Sequence, residues 1–387
     1  MLPMRSCAPP RGVAPSVAQS RSSSRAVAAA ASGTHLRRLG SSDLLVHPVG
    51  LGTMTWGKQN TEAEAHEQLN YAFERGLNWL DAAEMYPVPT ESTTQGRTES
   101  YVGSWLRGRP RDSVVLATKV AGASERLTWL RDGGRGTRVD RAQIMEAVDK
   151  SLRRLGTDYI DLLQIHWPDR YVPLFGSSAY DVAQERAAVP IVEQLRALSE
   201  LVAAGKVRHI GVSNETSYGV TEWARASRES DLPNIVSIQN SYSLLQRGAF
   251  ETDLAETCSP RNCNVGLLAY SPLAGGSLTG KYGGAVAPVG ARFSLFKGYM
   301  ERYNKSLARE AVAQYSALAR KHNLSPSALA LAFVHSRWFV TSTIIGATTM
   351  AQLKENIDAF EGLGLSKELL TEVATLYKRF RDPATDA

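Results

Sequence analysis

Asp81, Tyr86, Lys119 and His166 are the residues whose types and spacing could do chemistry in this chain. Each stands at or just beyond the C-terminal end of a short apolar run with strand character: Asn78–Ala82 leading on to Tyr86, Val114–Lys119, and Ile160–His166. A tyrosine hydroxyl ordinarily titrates near roughly pH 10 and yields its proton poorly at neutrality. A neighbouring ammonium stabilises the phenolate and lowers that value. Lys119 is therefore expected to prime Tyr86, with Asp81 holding and balancing Lys119. His166 is expected to orient a substrate oxygen or share the proton. Such a set suits proton delivery to a carbonyl oxygen while hydride arrives at the carbonyl carbon. Taken singly, each residue has an ordinary reading: Asp81 as a cap, Tyr86 as packing before Pro87, His166 as a satisfied core histidine. Their coincidence on adjacent strand ends carries the functional reading. The seven histidines are scattered with no two at ligand spacing, so no metal is expected.

The elements that must position these residues alternate along the chain. Strand-like runs lie at Val49–Thr53, Asn78–Ala82, Val114–Lys119, Ile160–His166, His209–Ser213, Ile235–Gln239, Val265–Tyr270 and Thr343–Gly346. Between them the apolar spacing turns helical, as over Glu62–Arg75 and Asp140–Leu155. Thr61 with Glu64 reads as a capping box and Asp140 as an N-cap. Eight strands separated by helices predict an α/β chain closed into a (β/α)8 TIM barrel, whose active site lies at the C-terminal rim. An open doubly wound sheet is the rival, but no Gly-x-Gly-x-x-Gly follows any of these runs. Two short runs, His35–Leu39 and Leu44–His47, flank a turn cluster and predict an N-terminal β-hairpin plugging the barrel floor. Long connections at 87–96, 120–139, 168–189 and 281–305 are expected to stand over the rim.

Composition narrows the field further. The chain has 387 residues, 43% of them hydrophobic, and no apolar run long enough to span a bilayer. A single barrel over residues 34–387 is expected, with no membrane partner. Three cysteines, Cys7, Cys258 and Cys263, make neither a disulfide framework nor a zinc pattern. Cys258 and Cys263 read as reduced thiols, with a redox pair as the alternative. The formal charge of +6 comes largely from residues 1–33, which hold Arg5, Arg11, Arg21 and Arg25 and no acid. Removing those four leaves 40 basic against 38 acidic residues, which argues against a nucleic-acid partner. An Arg- and Ser-rich, acid-free leader has the composition of an organelle transit peptide; a tail without an address is the alternative. Pro9-Pro10 and a weak amphipathic pattern favour the chloroplast stroma over the mitochondrial matrix.

The motifs in their order resemble those of the aldo-keto reductases. The resemblance is closest to the bacterial Tas-type branch, more distant to the potassium-channel β subunits, and covers roughly residues 35–380. It is carried by Gly50–Gly57, Asp81–Pro87, Ala117–Lys119, Asp161–Pro168, Ile210–Glu215, Leu268–Ala274 and Ile345–Thr349. The resemblance implies a catalytic role for Asp81, Tyr86, Lys119 and His166, with Tyr86 as general acid. It also implies NADP(H) lying across the barrel mouth, in contact with Thr53 and Met54. Ser213, Asn214 and Gln239 would hold the nicotinamide carboxamide and Tyr270 would stack on its ring. Ser271, Leu273, Gly276, Leu278 and Lys281 would fold over the pyrophosphate. At the adenosine end, Gly346 and Gln352 stand where strongly NADP-preferring members carry basic residues. Arg292 resembles the arginine that the channel-subunit branch supplies from the loop after strand seven. Thr348, Gln352, Glu355 and Asn356 match that branch's other adenosine contacts. NADP is thus expected over NAD; an exposed loop charge is the other reading of Arg292.

Trp56 and Trp167 follow strands one and four and are expected to line the mouth, although either could simply pack. Aromatic walls with few charges suit small or aromatic aldehydes and ketones more than phosphorylated sugars. A second reading is a redox-sensing subunit that holds NADP with little turnover. A lyase or isomerase lacks a metal or Schiff-base constellation. A monomer or weak homo-oligomer acting on a small-molecule carbonyl substrate is expected.

Overall fold

The computed structural model describes residues 36–177, 179–284, 288–361 and 364–385; the leader, with Cys7 and His35, lies outside them. A two-residue hairpin, β1 (Arg37–Arg38) and β2 (Leu45–Val46), precedes eight parallel strands. These are β3 (Val49–Gly52), β4 (Trp79–Asp81), β5 (Val115–Val120), β6 (Ile160–Ile165), β7 (Val207–Ser213), β8 (Ile235–Ser241), β9 (Gly266–Tyr270) and β10 (Val340–Ile345). They pair in sequence order, and β10 closes on β3, giving the expected (β/α)8 barrel.

Strand alternation decides what faces the barrel axis. On β5, Val115 and Ala117 point inward while Leu116 packs outward against the helices, so Lys119 continues the inward set. Trp79 and Asp81 on β4, and Leu162, Gln164 and His166 on β6, follow the same rule. The lower barrel is filled by Trp79, Val115, Ala117, Leu162, Val236, Leu268 and Ile344, sealed by Leu39, Leu44 and Val46 from the hairpin. The hairpin is therefore the floor, as its turn cluster predicted. Burying one such aliphatic side chain contributes about 1.5–3 kcal/mol. Gly50 has no room for a side chain: a Cβ would stand 2.0 Å from the Trp79 indole. That absence lets Trp79 lie in the barrel and donate its Nε1–H to His47 O and Ser342 Oγ.

Local signals place the helices. Over Glu62–Glu74 the Thr61–Glu64 capping box forms. Over Arg141–Leu155 the Asp140 carboxylate accepts from Gln143 N at 2.9 Å, and Gly156 closes the helix at φ 61°. Ile144, Ala147, Val148, Ser151 and Leu155 recur at three-to-four spacing on the buried face.

Two buried carboxylates tie the rim loops together. Glu84, after β4, accepts from Ala121 N at 2.7 Å and takes the Arg131 fork at 2.7 and 2.8 Å. Asp169, after β6, accepts from Val139 N and Val189 N and pairs with Arg138 at 2.8 Å. Each joins two loops that the chain separates by tens of residues, so the rim is a braced structure. Cys258 is buried, Cys263 is partly buried, and both are free.

Candidate active site

Where the strands end, the inward-facing residues become polar. Lys119 is fully buried, and its Nζ donates to Asp81 Oδ2 at 2.5 Å and to Ala82 O at 2.8 Å. It reaches the Tyr86 hydroxyl at 3.5 Å. The other Asp81 oxygen accepts from Gln239 Nε2 at 2.8 Å and from Gln164 Nε2 at 3.3 Å. The Tyr86 and His166 rings meet edge-on with centroids 5.7 Å apart. All four residues are thus brought to one point, from three adjacent strands.

The electrostatics correct one expectation. Lys119 does not bring the Tyr86 hydroxyl down: burial, and next the Asp81 charge, push it well above its usual value. The reason is geometric, because Asp81 neutralises the ammonium 1.0 Å closer than Tyr86 approaches it. Burial also lowers Lys119, against the pull of Asp81. His166 is driven well below its usual value by burial and then by the Lys119 charge, so it is neutral. A neutral phenol beside a neutral imidazole and an ion pair holds a proton ready to give. Removing it from the phenol is hard until something takes up the charge.

Above this cluster opens a cavity of about 1270 Å³. Tyr86, His166 and Trp167 line it together with Met85, Val88 and Phe175. Trp167 forms a wall, its Nε1–H held by Ala123 O at 3.0 Å. Trp56 does not. It is fully buried beneath the rim, its Nε1–H bonded to Gln68 Oε1 of the Glu62–Glu74 helix. The turn closed by Trp56 N to Thr53 O swings the ring under the barrel mouth, which makes it core packing.

Residues 48–378 match the aldo/keto reductase family. The chain belongs to that family of oxidoreductases. It is 47% identical over 352 residues to "Protein tas" of Escherichia coli strain K12, covering 90% of this chain and 99% of that protein. A Babesia bovis "Aldo-keto reductase" is 42% identical over 280 residues, covering 70% of this chain and 98% of that protein. A "Probable voltage-gated potassium channel subunit beta" of Arabidopsis thaliana is 31% identical over 336 residues, covering 85% and 92%.

Most of the residues that the resemblance assigned to a cofactor line this same cavity. At its inner end are Thr53, Met54, Ser213, Asn214, Gln239 and Tyr270. Asn214, at φ 52°, is locked by its Nδ2 donating to His166 O and its Oδ1 accepting from Tyr270 Oη at 2.6 Å. Ser213 Oγ donates to Gln239 O. Ser271, Leu273, Gly276 and Lys281 follow along one wall, and Gly346, Thr348, Gln352, Glu355 and Asn356 along the far one. Leu278 does not reach the cavity: it is buried in the core and its amide is bonded to Leu273 O. Gly276, at φ 100°, is where Lys281 crosses, its Nζ 3.1 Å from the position of a Cβ.

Three observations test whether these residues fit a pyridine dinucleotide phosphate. Lys281 and Arg292 both line the cavity, and no carboxylate among the described residues pairs with either. Burial and then the Arg292 charge lower Lys281, so the two cations lack an anion to share. His166 Nδ1 is buried without a hydrogen-bond partner. The turn after β9 brings the backbone of Gly275 and Gly276, at φ 67° and 100°, to the cavity wall, where main chain can approach a phosphate closely. A long, ring-ended polyanion answers all three. Sequence reasoning missed Gln164, Tyr299, Arg302 and Lys305 around this site. Gln164 had a signal, standing two residues before His166 on the same strand face. The other three sit in an irregular loop with no periodicity to read. Among the described residues no helix is long and apolar enough to cross a membrane, and no His, Cys, Asp and Glu group could hold a metal.

Proposed function

We propose that the protein is an NADPH-dependent reductase that converts small or aromatic aldehydes and ketones to alcohols, with Tyr86 as general acid. The observation that carries this reading is the Tyr86 hydroxyl: neutral, at the cavity floor, 3.5 Å from a lysine whose charge Asp81 balances. Bound in the cavity, reduced nicotinamide would supply hydride to the carbonyl carbon. Tyr86 then gives its proton to the carbonyl oxygen, and the developing phenolate is stabilised by Lys119 Nζ. His166, neutral, donates one hydrogen bond to hold that oxygen. Asn214, Ser213 and Gln239 would hold the nicotinamide amide, and Tyr270 would pack against its ring. Lys281 and Arg292 would answer the phosphates, Arg292 the adenosine 2′-phosphate. Trp167, Met85 and Phe175 form an apolar wall suited to uncharged carbonyl compounds. Aldehyde-dependent NADPH oxidation by the purified protein tests the reading, and no turnover with any of a panel of aldehydes would overturn it.

The Arabidopsis relative named as a channel subunit favours one other reading, an NADP-binding regulatory subunit with little turnover. Firm NADPH binding without carbonyl-dependent oxidation would select it. The acid-free leader supports delivery to the chloroplast stroma, with the mitochondrial matrix as the other address. Import of the labelled full chain into isolated organelles decides between them. We also propose a monomer or weak homo-oligomer, which sedimentation checks.

A further inference from the structure

At the opposite end of the barrel from the active site is a second groove of about 560 Å³. It runs between the hairpin, the segment before β9, and the turn that leads from the Pro326–His335 helix into β10. Its lining includes Arg37, Arg38, His335 and Arg337, and among the described residues that line it there is no Asp or Glu. None of the three arginines forms an ion pair with a described carboxylate. Arg37 gives Nη1 to Val340 O and Nη2 to His335 Nε2. Arg38 reaches only Ser42 O, and Arg337 only Ser336 Oγ and the face of Phe333. Arg37 and Arg337 are partly buried and Arg38 is exposed at the rim of the groove, and a guanidinium drawn partly out of water is costly unless an anion joins it.

The histidine fixes the orientation of one of these guanidinium groups. A guanidinium can only donate, so the Arg37 contact makes His335 Nε2 the acceptor and leaves the proton on Nδ1. That Nδ1 is buried and has no hydrogen-bond acceptor, while the ring packs edge-on against Phe360. Burial, then the Arg37 and His47 charges, hold His335 down to about 4, so it stays a neutral donor. Beside this array Trp338 is 68% exposed, a flat apolar face at the groove edge.

We infer that this groove binds a phosphate monoester carrying a flat ring, the phosphate held by Arg37, Arg38 and Arg337 and the ring laid on Trp338. Three cations without a counter-charge favour a dianion over a single carboxylate. Arginine forks match phosphate oxygens two at a time. An aromatic ring on indole adds stacking. The inference is independent of the reaction proposed for the mouth, because no residue is shared between the two cavities.

The test is calorimetric titration of the full chain with phenyl phosphate, compared with benzoate. Two double variants accompany it: Arg37→Gln with Arg337→Gln at the floor, and Lys281→Gln with Arg292→Gln at the mouth. The mouth variant, which lacks the cations that could draw phosphate to the other cavity, is expected to keep a phenyl phosphate site, and the floor variant to bind at that site roughly tenfold or more weakly. Benzoate is expected to bind more weakly than phenyl phosphate. Absence of binding into the millimolar range, or a loss confined to the mouth variant, would overturn the site. Tighter binding of benzoate would overturn the phosphate assignment. Circular dichroism checks folding of the floor variant, since Arg37 also holds Val340. If it does not fold, Arg38→Gln and Trp338→Ala replace it; each should weaken binding severalfold, and unchanged affinity in both overturns the proposal.

Discussion

Lys119 makes its short contact to Asp81, at 2.5 Å, and its long one to Tyr86, at 3.5 Å. The lysine is thus anchored by the carboxylate and only leans toward the phenol. In the resting site the charge is balanced and Tyr86 keeps its proton. When that proton leaves, the phenolate would find an ammonium already in place.

Asp81→Asn should therefore lower kcat more than it disturbs cofactor affinity. The amide leaves Lys119 buried without a counter-charge, which favours the neutral amine and removes support for the phenolate. Steady-state rates with NADPH titrations separate the two effects; a loss in cofactor affinity alone would contradict this role. The expected drop is on the order of 100-fold.

Arg292→Ala should weaken NADPH by roughly tenfold or more and NADH little, because only NADPH carries the 2′-phosphate. Fluorescence titration with both nucleotides reads the difference. Equal losses would mean that Arg292 serves only as a loop charge.

The two tryptophans should part company. Trp167→Ala opens the cavity wall and should raise KM for aromatic aldehydes, and because the ring also packs on Ala121 and Leu130 it should cost some stability, though less than the loss of Trp56. Trp56→Ala should instead cost about 3–5 kcal/mol of stability, as expected for emptying a fully buried indole site. Paired kinetics and denaturant unfolding would reverse this assignment if the effects were exchanged.

Much of this was legible from residue patterns, and the failures have physical reasons. Strand alternation carries a residue such as Lys119 to the barrel axis because the period is strict and the face is buried. Past the strand end the period stops, so nothing in the spacing told Trp56, three residues into a turn, which way to face. Leu278 failed similarly, turning into the core from a loop whose neighbours line the cavity. Glu84 and Asp169 carried no signal in the spacing, because their roles depend on Arg131 and Arg138 in other loops. The direction of the Tyr86 shift depended on a distance, Lys119 to Asp81 against Lys119 to Tyr86, that no spacing encodes.

Stability should fall with acid through His47, which burial holds down to about 4, below its ordinary 6.5. Above that ordinary value both folded and unfolded chains carry it neutral. As pH falls from 6.5 toward about 4, the unfolded state takes up the proton first and gains stability, so the folded state loses it. The loss attributable to His47 is on the order of 3 kcal/mol. Urea unfolding of native protein and His47→Asn across this range should show a shallower decline in the variant; parallel curves would exclude His47 as the source.

The most direct measurement compares NADPH oxidation by the native protein and by Tyr86→Phe with a reactive aromatic aldehyde, alongside NADPH binding to each. Phenylalanine keeps the ring beside His166 and removes only the hydroxyl. The account predicts a fall in turnover of roughly 100- to 10,000-fold with cofactor affinity nearly unchanged. A variant that kept most of its turnover would contradict Tyr86 as the proton donor.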